Sequence, residues 1–398
     1  VSEGRLSIDD TVLSFFPDDA PVDPGNQLRA MRVRDLLCMS TGHQTEPSAA
    51  PDVVSARSFL AQPVPFKPGT HFVYNTAATF MQSAIVQKVT GQTVLDYLRP
   101  RLFEPLGISN PTWQTNFQGI SLGGYGLSVC TEDIARLGQF YLQKGRWHGK
   151  QLLPAAWIEM ATARQVSNGS NPKSDWDQGY GFQFWRCRHG AYRGDGAFGQ
   201  YCVVMPDQDA VLAITSGLGD MQAVLNLAWD HLLPAMKERK LRKNTEARST
   251  LTRRLQNLTL RTVPGAATSP LLAQVSGKPF EYPANEQKIE KISLAGDSAG
   301  RQVTLTLRRD GVDQRIACGF QQWITGRAAL GAAVDRPMAA TGAWTAEDTF
   351  TARLCFYETP YVLTVTLRFA GHDLVYNAEA NVGFGPTKQP QLTGRTSR

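Results

Sequence analysis

Tyr74 is the residue with the strongest case for proton chemistry, and it sits in the stretch Gly69-Thr70-His71-Phe72-Val73-Tyr74-Asn75-Thr76-Ala77-Ala78-Thr79. A Gly-Thr turn and a short aromatic and β-branched run lead up to it, and an amphipathic helix is predicted to start just behind it. Ala77, Met81, Ala84, Ile85 and Val89 recur at three- and four-residue steps, and Gly91 after Thr90 supplies the C-terminal stop. A phenol held at the head of a rigid element can carry a proton. The same position also suits a half-buried core aromatic, and spacing alone does not separate the two readings.

Other constellations are weaker. Ser170-Asn171-Pro172-Lys173 spells Ser-x-x-Lys, but it lies among turn residues and Pro172 blocks ordinary helix continuation, so it reads as a chance match. Gly119-Ile120-Ser121-Leu122-Gly123 spells a nucleophile elbow, which needs a hydrophobic strand before it and a helix directly after it. Polar residues from Gln114 to Gln118 precede it and another glycine turn follows. Cys38, Cys130, Cys187, Cys202, Cys318 and Cys355 stand singly, and the six histidines show no ligand spacing. Reduced thiols, no metal and no cofactor are therefore expected. Unpaired cysteines weigh toward the cytoplasm, while a periplasmic or secreted location stays open because a signal could precede Val1.

With 398 residues and 42% hydrophobic content, the chain can build a sizeable core, and its length favours two domains. No uninterrupted apolar run reaches the roughly 18 residues that would signal a membrane span. The net charge of +6 is carried by the segment 236–254, with eight basic residues against Glu238 and Glu246. Without aromatic interleaving, such a run reads as a solvated helix end or linker, and no nucleic-acid partner is expected.

The positioning elements follow from periodicity. Thr131 is the predicted cap of a helix with the stripe Ile134, Leu137, Tyr141 and a stop at Gly145; Pro154 is placed at the first position of a helix around Trp157. Strands are predicted over Tyr180–Trp185, Gln200–Met205 and Ala210–Thr215, antiparallel, with Pro206–Asp209 as a turn. Asp220 caps a helix through Val224, Leu227, Ala228 and Leu232 that ends near Pro234. From about Leu258 the pattern is strand after strand. Val303, Leu305 and Leu307 alternate with polar residues, Asp310-Gly311 offers a hairpin turn, and Phe350 to Phe356 and Tyr361 to Phe369 alternate likewise. A small antiparallel barrel or sandwich of lipocalin-like build is implied. Trp323, Trp344 and Tyr357 suit its core or a binding face.

Tyr74-Asn75-Thr76, Lys88-Val89-Thr90-Gly91-Gln92-Thr93 and Leu102-Phe103-Glu104-Pro105-Leu106-Gly107-Ile108 together resemble the second motif region of the serine β-lactamase and penicillin-binding-protein superfamily. The similarity is to its class C-like branch of esterases, D-aminopeptidases and 6-aminohexanoate-dimer hydrolases. Gly123–Leu127 and Thr131–Gly138 extend it, so that it runs from Val1 to about Leu233. The resemblance implies an α+β fold: a β-lactamase/transpeptidase-like domain over 1–235, an antiparallel sheet with helices. A basic linker over 236–257 and a C-terminal antiparallel β domain over 258–398 would follow.

In function, the resemblance implies a serine hydrolase acting through an acyl-enzyme on a small-molecule ester, amide or peptide. Tyr74 takes the place of the family's catalytic tyrosine. The family's Tyr-x-Asn reads Tyr-Asn-Thr here, so the amide's substrate-binding role falls on Thr76 or on neighbouring Asn75. The family's Lys-Thr-Gly or His-x-Gly is replaced by Gly194-Asp195-Gly196, resembling the Gly-x-x-Gly-Gln variant of the aminohexanoate branch. Asp195, Gly196 and Gln200 become substrate-binding candidates and the backbone of Ala197 an oxyanion donor; a plain glycine-rich hairpin is the competing reading.

Glu3 to Asp10 resembles the segment that follows the family's nucleophile helix, whose Ser-x-x-Lys sits about four turns upstream. The resemblance thus implies a chain lacking its N-terminal segment, with no nucleophile of its own, inactive alone, and with Tyr74 an ordinary phenol. It also implies a first domain that is poorly soluble or partly molten beside an independently folding β domain. The alternative is a non-catalytic relative that binds a ligand in the old cleft or through the barrel.

Overall fold

The computed structural model describes residues 1–237, 242–297, 300–330 and 335–396, so that 238–241 of the basic segment lie outside the described residues. The chain divides into two compact units, one of Val1–Thr215 with Met221–Arg239 and one of Ser216–Asp220 with Lys240–Arg398.

The first unit is built around helix α1, Thr76–Thr90. Asn75 caps it by accepting a hydrogen bond from the Ala78 N–H at 2.9 Å, and Gly91 ends it in the left-handed conformation at φ 72°. Phe80, Met81 and Ile85 on its buried face pack against Met31, Leu36, Phe59 and Leu60. Helices α2, Thr131–Leu142, and α3, Ala155–Thr162, follow. Thr131 is the first helical residue of α2 rather than its cap. The cap position belongs to Cys130, whose N–H is accepted by the Asp133 carboxylate at 3.0 Å, so the acid three residues on does the work expected of a threonine hydroxyl. Pro154 likewise stands one place earlier than expected, at the cap of α3.

Four antiparallel strands in sequence order form the largest sheet described in this unit: β1, Trp185–Arg186; β2, Tyr192–Gly196; β3, Gln200–Met205; and β4, Ala210–Ile214. The strand expected over Tyr180–Trp185 is cut to β1, because Gln183 takes φ 66° and a left-handed residue cannot continue a strand. Helix α4, Met221–Leu227, runs on through a wider turn to Leu232 and packs Leu225 and Trp229 against Tyr201, Val203 and Met205.

The second unit contains α5, Thr245–Gln256, a helix with no buried residue inside the segment expected as linker. Among the described residues ten strands follow: β5, Phe280–Glu281; β6, Ile289–Gly296; β7, Gln302–Arg309; β8, Val312–Gly319; β9, Ile324–Ala328; β10, Arg336–Ala346; β11, Thr349–Cys355; β12, Val362–Ala370; β13, Asp373–Ala380; and β14, Leu392–Arg395. Their hydrogen-bonded order is β8-β7-β6-β5-β14-β13-β12-β11-β10-β9. A bridge between Gly319 of β8 and Thr341 of β10 closes the sheet into a barrel, and the Thr341 hydroxyl donates to the Gly319 carbonyl at 2.9 Å. Asp310 and Gly311 at φ 50° and 78° make the tight turn between β7 and β8. Trp344 belongs to the barrel core, Trp323 donates its indole N–H to the Leu260 carbonyl, and Tyr357 is exposed rather than packed.

Gly138 shows how tightly α2 is laid on the sheet. A Cβ there would come within 2.5 Å of Val211 Cγ1 and 2.9 Å of Cys202 Sγ. In an open helix Gly→Ala gains about 1 kcal/mol. At this contact overpacking wins, and Gly138→Ala is expected to destabilise the first unit by about 1–3 kcal/mol, read from the urea midpoint.

Candidate functional site

A cleft of about 110 Å³ opens beside the head of α1. Tyr74, Thr76 and Thr79 form one wall, Tyr180, Gln183 and Trp185 a second, Gly194 and Asp195 of β2 a third, and Gly123 and Gly124 a fourth. The two glycines are required by contact: Gly123 is at φ 73°, and a Cβ on Gly124 would lie 2.7 Å from Thr76 Cγ2.

Tyr74 stacks on Trp185 with ring centroids 5.3 Å apart and 16° between planes, and meets Tyr180 edge-on at 6.4 Å. The side chain stays 40% exposed. Burial pushes the phenol up to about 12, the negative charges of Asp195 and Glu46 push the same way, and Arg193 opposes them. This corrects the expected ordinary phenol: Tyr74 holds its proton more tightly than a free tyrosine.

The reason lies on β2, where alternation puts Arg193 and Asp195 on the same face. Arg193 is fully buried, its guanidinium 4.3 Å over the ring of Trp176 and 5.4 Å over that of Trp185. Its Nε donates to Asp195 at 3.0 Å, and Nη1 donates to the Asp175 carbonyl at 2.7 Å. Burial raises the Asp195 carboxyl above its usual range, while the charge and hydrogen bond of Arg193 and a hydrogen bond from Trp185 pull it down. Arg193, the cation whose charge acts on Tyr74, is thus paired with a carboxylate.

A second buried acid anchors the frame. Asp175 accepts from Arg188 at 2.7 and 3.1 Å, from the Arg188 N–H at 2.9 Å, from Gln222 at 2.7 Å and from the Trp229 indole at 2.9 Å. Burial pushes this carboxyl up, but the hydrogen bonds together outweigh it and hold it below its usual range.

Of the residues singled out from sequence, Tyr74, Thr76 and Asp195 come together in the cleft. Asn75 does not. It is fully buried, caps α1 and donates to Thr41 Oγ1 at 3.3 Å. The Thr76 N–H donates to Glu46 at 2.6 Å. Gly196 closes β2 opposite Gln200, and Ala197 lies in the exposed turn after it; none of these three lines the cleft. Sequence reasoning missed Thr79, Tyr180, Gln183 and Trp185. Gln183 accepts from the Thr79 hydroxyl at 3.1 Å and donates to the Leu37 carbonyl at 3.2 Å. A lone polar residue amid Tyr180-Gly181-Phe182 and Phe184-Trp185 was its only signal.

Ser170 and Lys173 are exposed outside any helix, and Ser121 is buried in a loop with no helix directly after it. The six cysteines are free. Among the described residues there is no cluster of three potential metal ligands and no helix long and apolar enough to cross a membrane.

The fold is that of a β-lactamase/transpeptidase-like domain followed by a β barrel. Residues 1–233 match the Beta-lactamase family, more than half of the chain, and the chain belongs to that family. It is similar to lovastatin esterase of Penicillium rubens, 28% identical over 137 residues, 28% of this chain and 34% of that protein. It is also similar to 6-aminohexanoate-dimer hydrolase of Paenarthrobacter ureafaciens, 27% identical over 156 residues, 37% of this chain and 40% of the other. The matches therefore span about a third of the length of these curated relatives. Among solved structures, the octameric penicillin-binding protein homologue from Pyrococcus abyssi aligns with a TM-score of 0.45 at 17% identity, over 99% of this chain and 83% of that one.

Two stability outcomes follow from the buried charges. Arg193→Met strands Asp195 in the interior and is expected to cost about 3–5 kcal/mol in urea unfolding, whereas Arg193→Met with Asp195→Leu recovers most of the loss. Asp175 has a depressed pKa in the folded state, so its contribution is present at neutral pH and lost as pH falls through the folded value, below the ordinary aspartate range. Asp175→Asn should therefore be less stable at neutral pH and flatten the acid limb of a melting-temperature profile.

Proposed function

We propose that the Tyr74 cleft is the acyl-transfer site of a serine hydrolase for small esters, amides or peptides. The observation that carries this reading is the Tyr74 phenol, held at the head of α1, stacked on Trp185 and lining the cleft. In acyl transfer a serine oxygen attacks the carbonyl carbon, its proton reaches the leaving oxygen or nitrogen, and water then repeats the step on the acyl-enzyme. A phenol near 12 is protonated at neutral pH, so Tyr74 is suited to give the proton to the leaving group. To take the serine's proton it needs a cation close by, and Arg193 is engaged by Asp195. Thr76 and Asp195 are substrate contacts in this scheme; the oxyanion donor it requires falls by resemblance on the N–H of Ala197, which stands two residues past the cleft-lining Asp195 and outside the lining itself.

No serine or cysteine stands among the residues that line the cleft, and the Thr79 hydroxyl there donates to Gln183. Residues 1–398 by themselves are accordingly expected to show no turnover. The same observation favours a second reading, a non-catalytic relative that binds a ligand in the cleft.

The natural protein containing these residues separates the two. A hydrolase takes a covalent fluorophosphonate label and gives a burst on p-nitrophenyl esters, and Tyr74→Phe lowers its kcat by about 10²–10⁴. Saturable binding without label or burst would replace the hydrolase by the binding protein. Labelling with full activity in Tyr74→Phe would leave Tyr74 as a core aromatic.

A further inference from the structure

The antiparallel order of the barrel brings the starts of β6 and β12 and the ends of β7, β9 and β13 to one mouth. A cavity of about 60 Å³ opens there, walled by the aliphatic side chains of Ile289, Leu307, Leu330 and Leu363. One water takes about 10–15 Å³ by this measure, so the space admits roughly four to six non-hydrogen atoms.

Three polar groups on these walls have no protein partner among the described residues, and the Gln287 Oε1 is in addition shut off from solvent. Arg308 and Arg309 are neighbours on β7 and face opposite ways. Arg308, on the outer face, pairs with Glu290 at 3.2 Å and Asp313 at 3.5 Å. Arg309 lines the cavity and has no ion-pair or hydrogen-bond partner among the described residues. Tyr376 is 3% exposed, and its hydroxyl is likewise unpartnered among them. Burial pushes this phenol up to about 12, and the charge of Arg309, which lines the same cavity, pulls against it. Gln287 donates its amide N–H to the Pro390 carbonyl at 2.6 Å, while its Oε1 is buried with no donor.

A guanidinium calls for an anion, a buried amide oxygen for an N–H or O–H, and the walls for an aliphatic body. We propose that this mouth of the barrel binds a small aliphatic carboxylate bearing a hydroxyl or amino group, its carboxylate on Arg309 and Tyr376 and its donor on Gln287. Lactate and alanine have this chemistry and this size. The site is independent of the Tyr74 cleft and of any turnover there.

The test is calorimetric titration of the full chain with lactate, alanine, propionate and propylamine. Saturable binding is expected for lactate or alanine, weaker binding for propionate, which lacks the donor, and none for propylamine. Arg309→Gln should weaken the carboxylates at least tenfold, as expected for losing a hydrogen bond to a charged group, while Arg308→Gln on the outer face leaves them unchanged. Propylamine binding as well as lactate, an affinity indifferent to Arg309→Gln, or no saturable binding of any carboxylate at millimolar concentration would each overturn the proposal and leave a cavity filled by water alone. If Arg309→Gln melts early, the ranking of carboxylates over the amine in the unaltered chain decides by itself.

Discussion

The first unit depends on the burial of one guanidinium. A charge with none of its surface in water is tolerable only when it is paired and hydrogen-bonded, and Arg193 meets both conditions by gathering Asp195, the Asp175 carbonyl and two indoles around itself. Those partners come from separate stretches of chain. The loop carrying Asp175 and Trp176 is fastened to α4 through Gln222 and Trp229, and Trp185 on β1 is the ring on which Tyr74 stacks. The wall of the cleft is therefore as rigid as the ion pair behind it.

That arrangement also fixes the electrostatics of the cleft. Asp195 presents negative charge toward Tyr74 and is paired with the nearby Arg193, so burial and the carboxylate charge together outweigh the guanidinium and raise the phenol. A site of this kind can give a proton readily but takes one only when a further cation is brought to it. Binding an amine or a lysine side chain beside the phenol would change its behaviour more than any shift in bulk pH between 6 and 8.

Much of the scaffold was legible in the sequence because local physics decides it. The apolar steps from Ala77 to Val89 and the glycine after Thr90 define α1, the alternation of Gln200–Met205 and Ala210–Ile214 defines the inner hairpin, and Asp310-Gly311 defines a turn that needs two positive φ angles. The family's phrases located Tyr74 in the cleft. What stayed hidden depends on tertiary partners. Nothing along the chain announces the two tryptophans that enclose Arg193, or that the Asn75 side chain caps the helix that follows it. Gln183 breaks its strand by a left-handed turn that no propensity announces in a non-glycine residue. Among the described residues the barrel is closed by the bridge between Gly319 and Thr341, a contact that alternation along either strand does not specify.

The most direct measurement of this account is the titration of the Tyr74 phenol itself, followed by the Cζ resonance of labelled tyrosine and assigned by its disappearance in Tyr74→Phe. The account predicts a midpoint near 12 that falls when Asp195 is replaced by Asn, because one of the negative charges opposing ionisation is then gone. A midpoint at or below the ordinary tyrosine value of about 10, unmoved by Asp195→Asn, would contradict it.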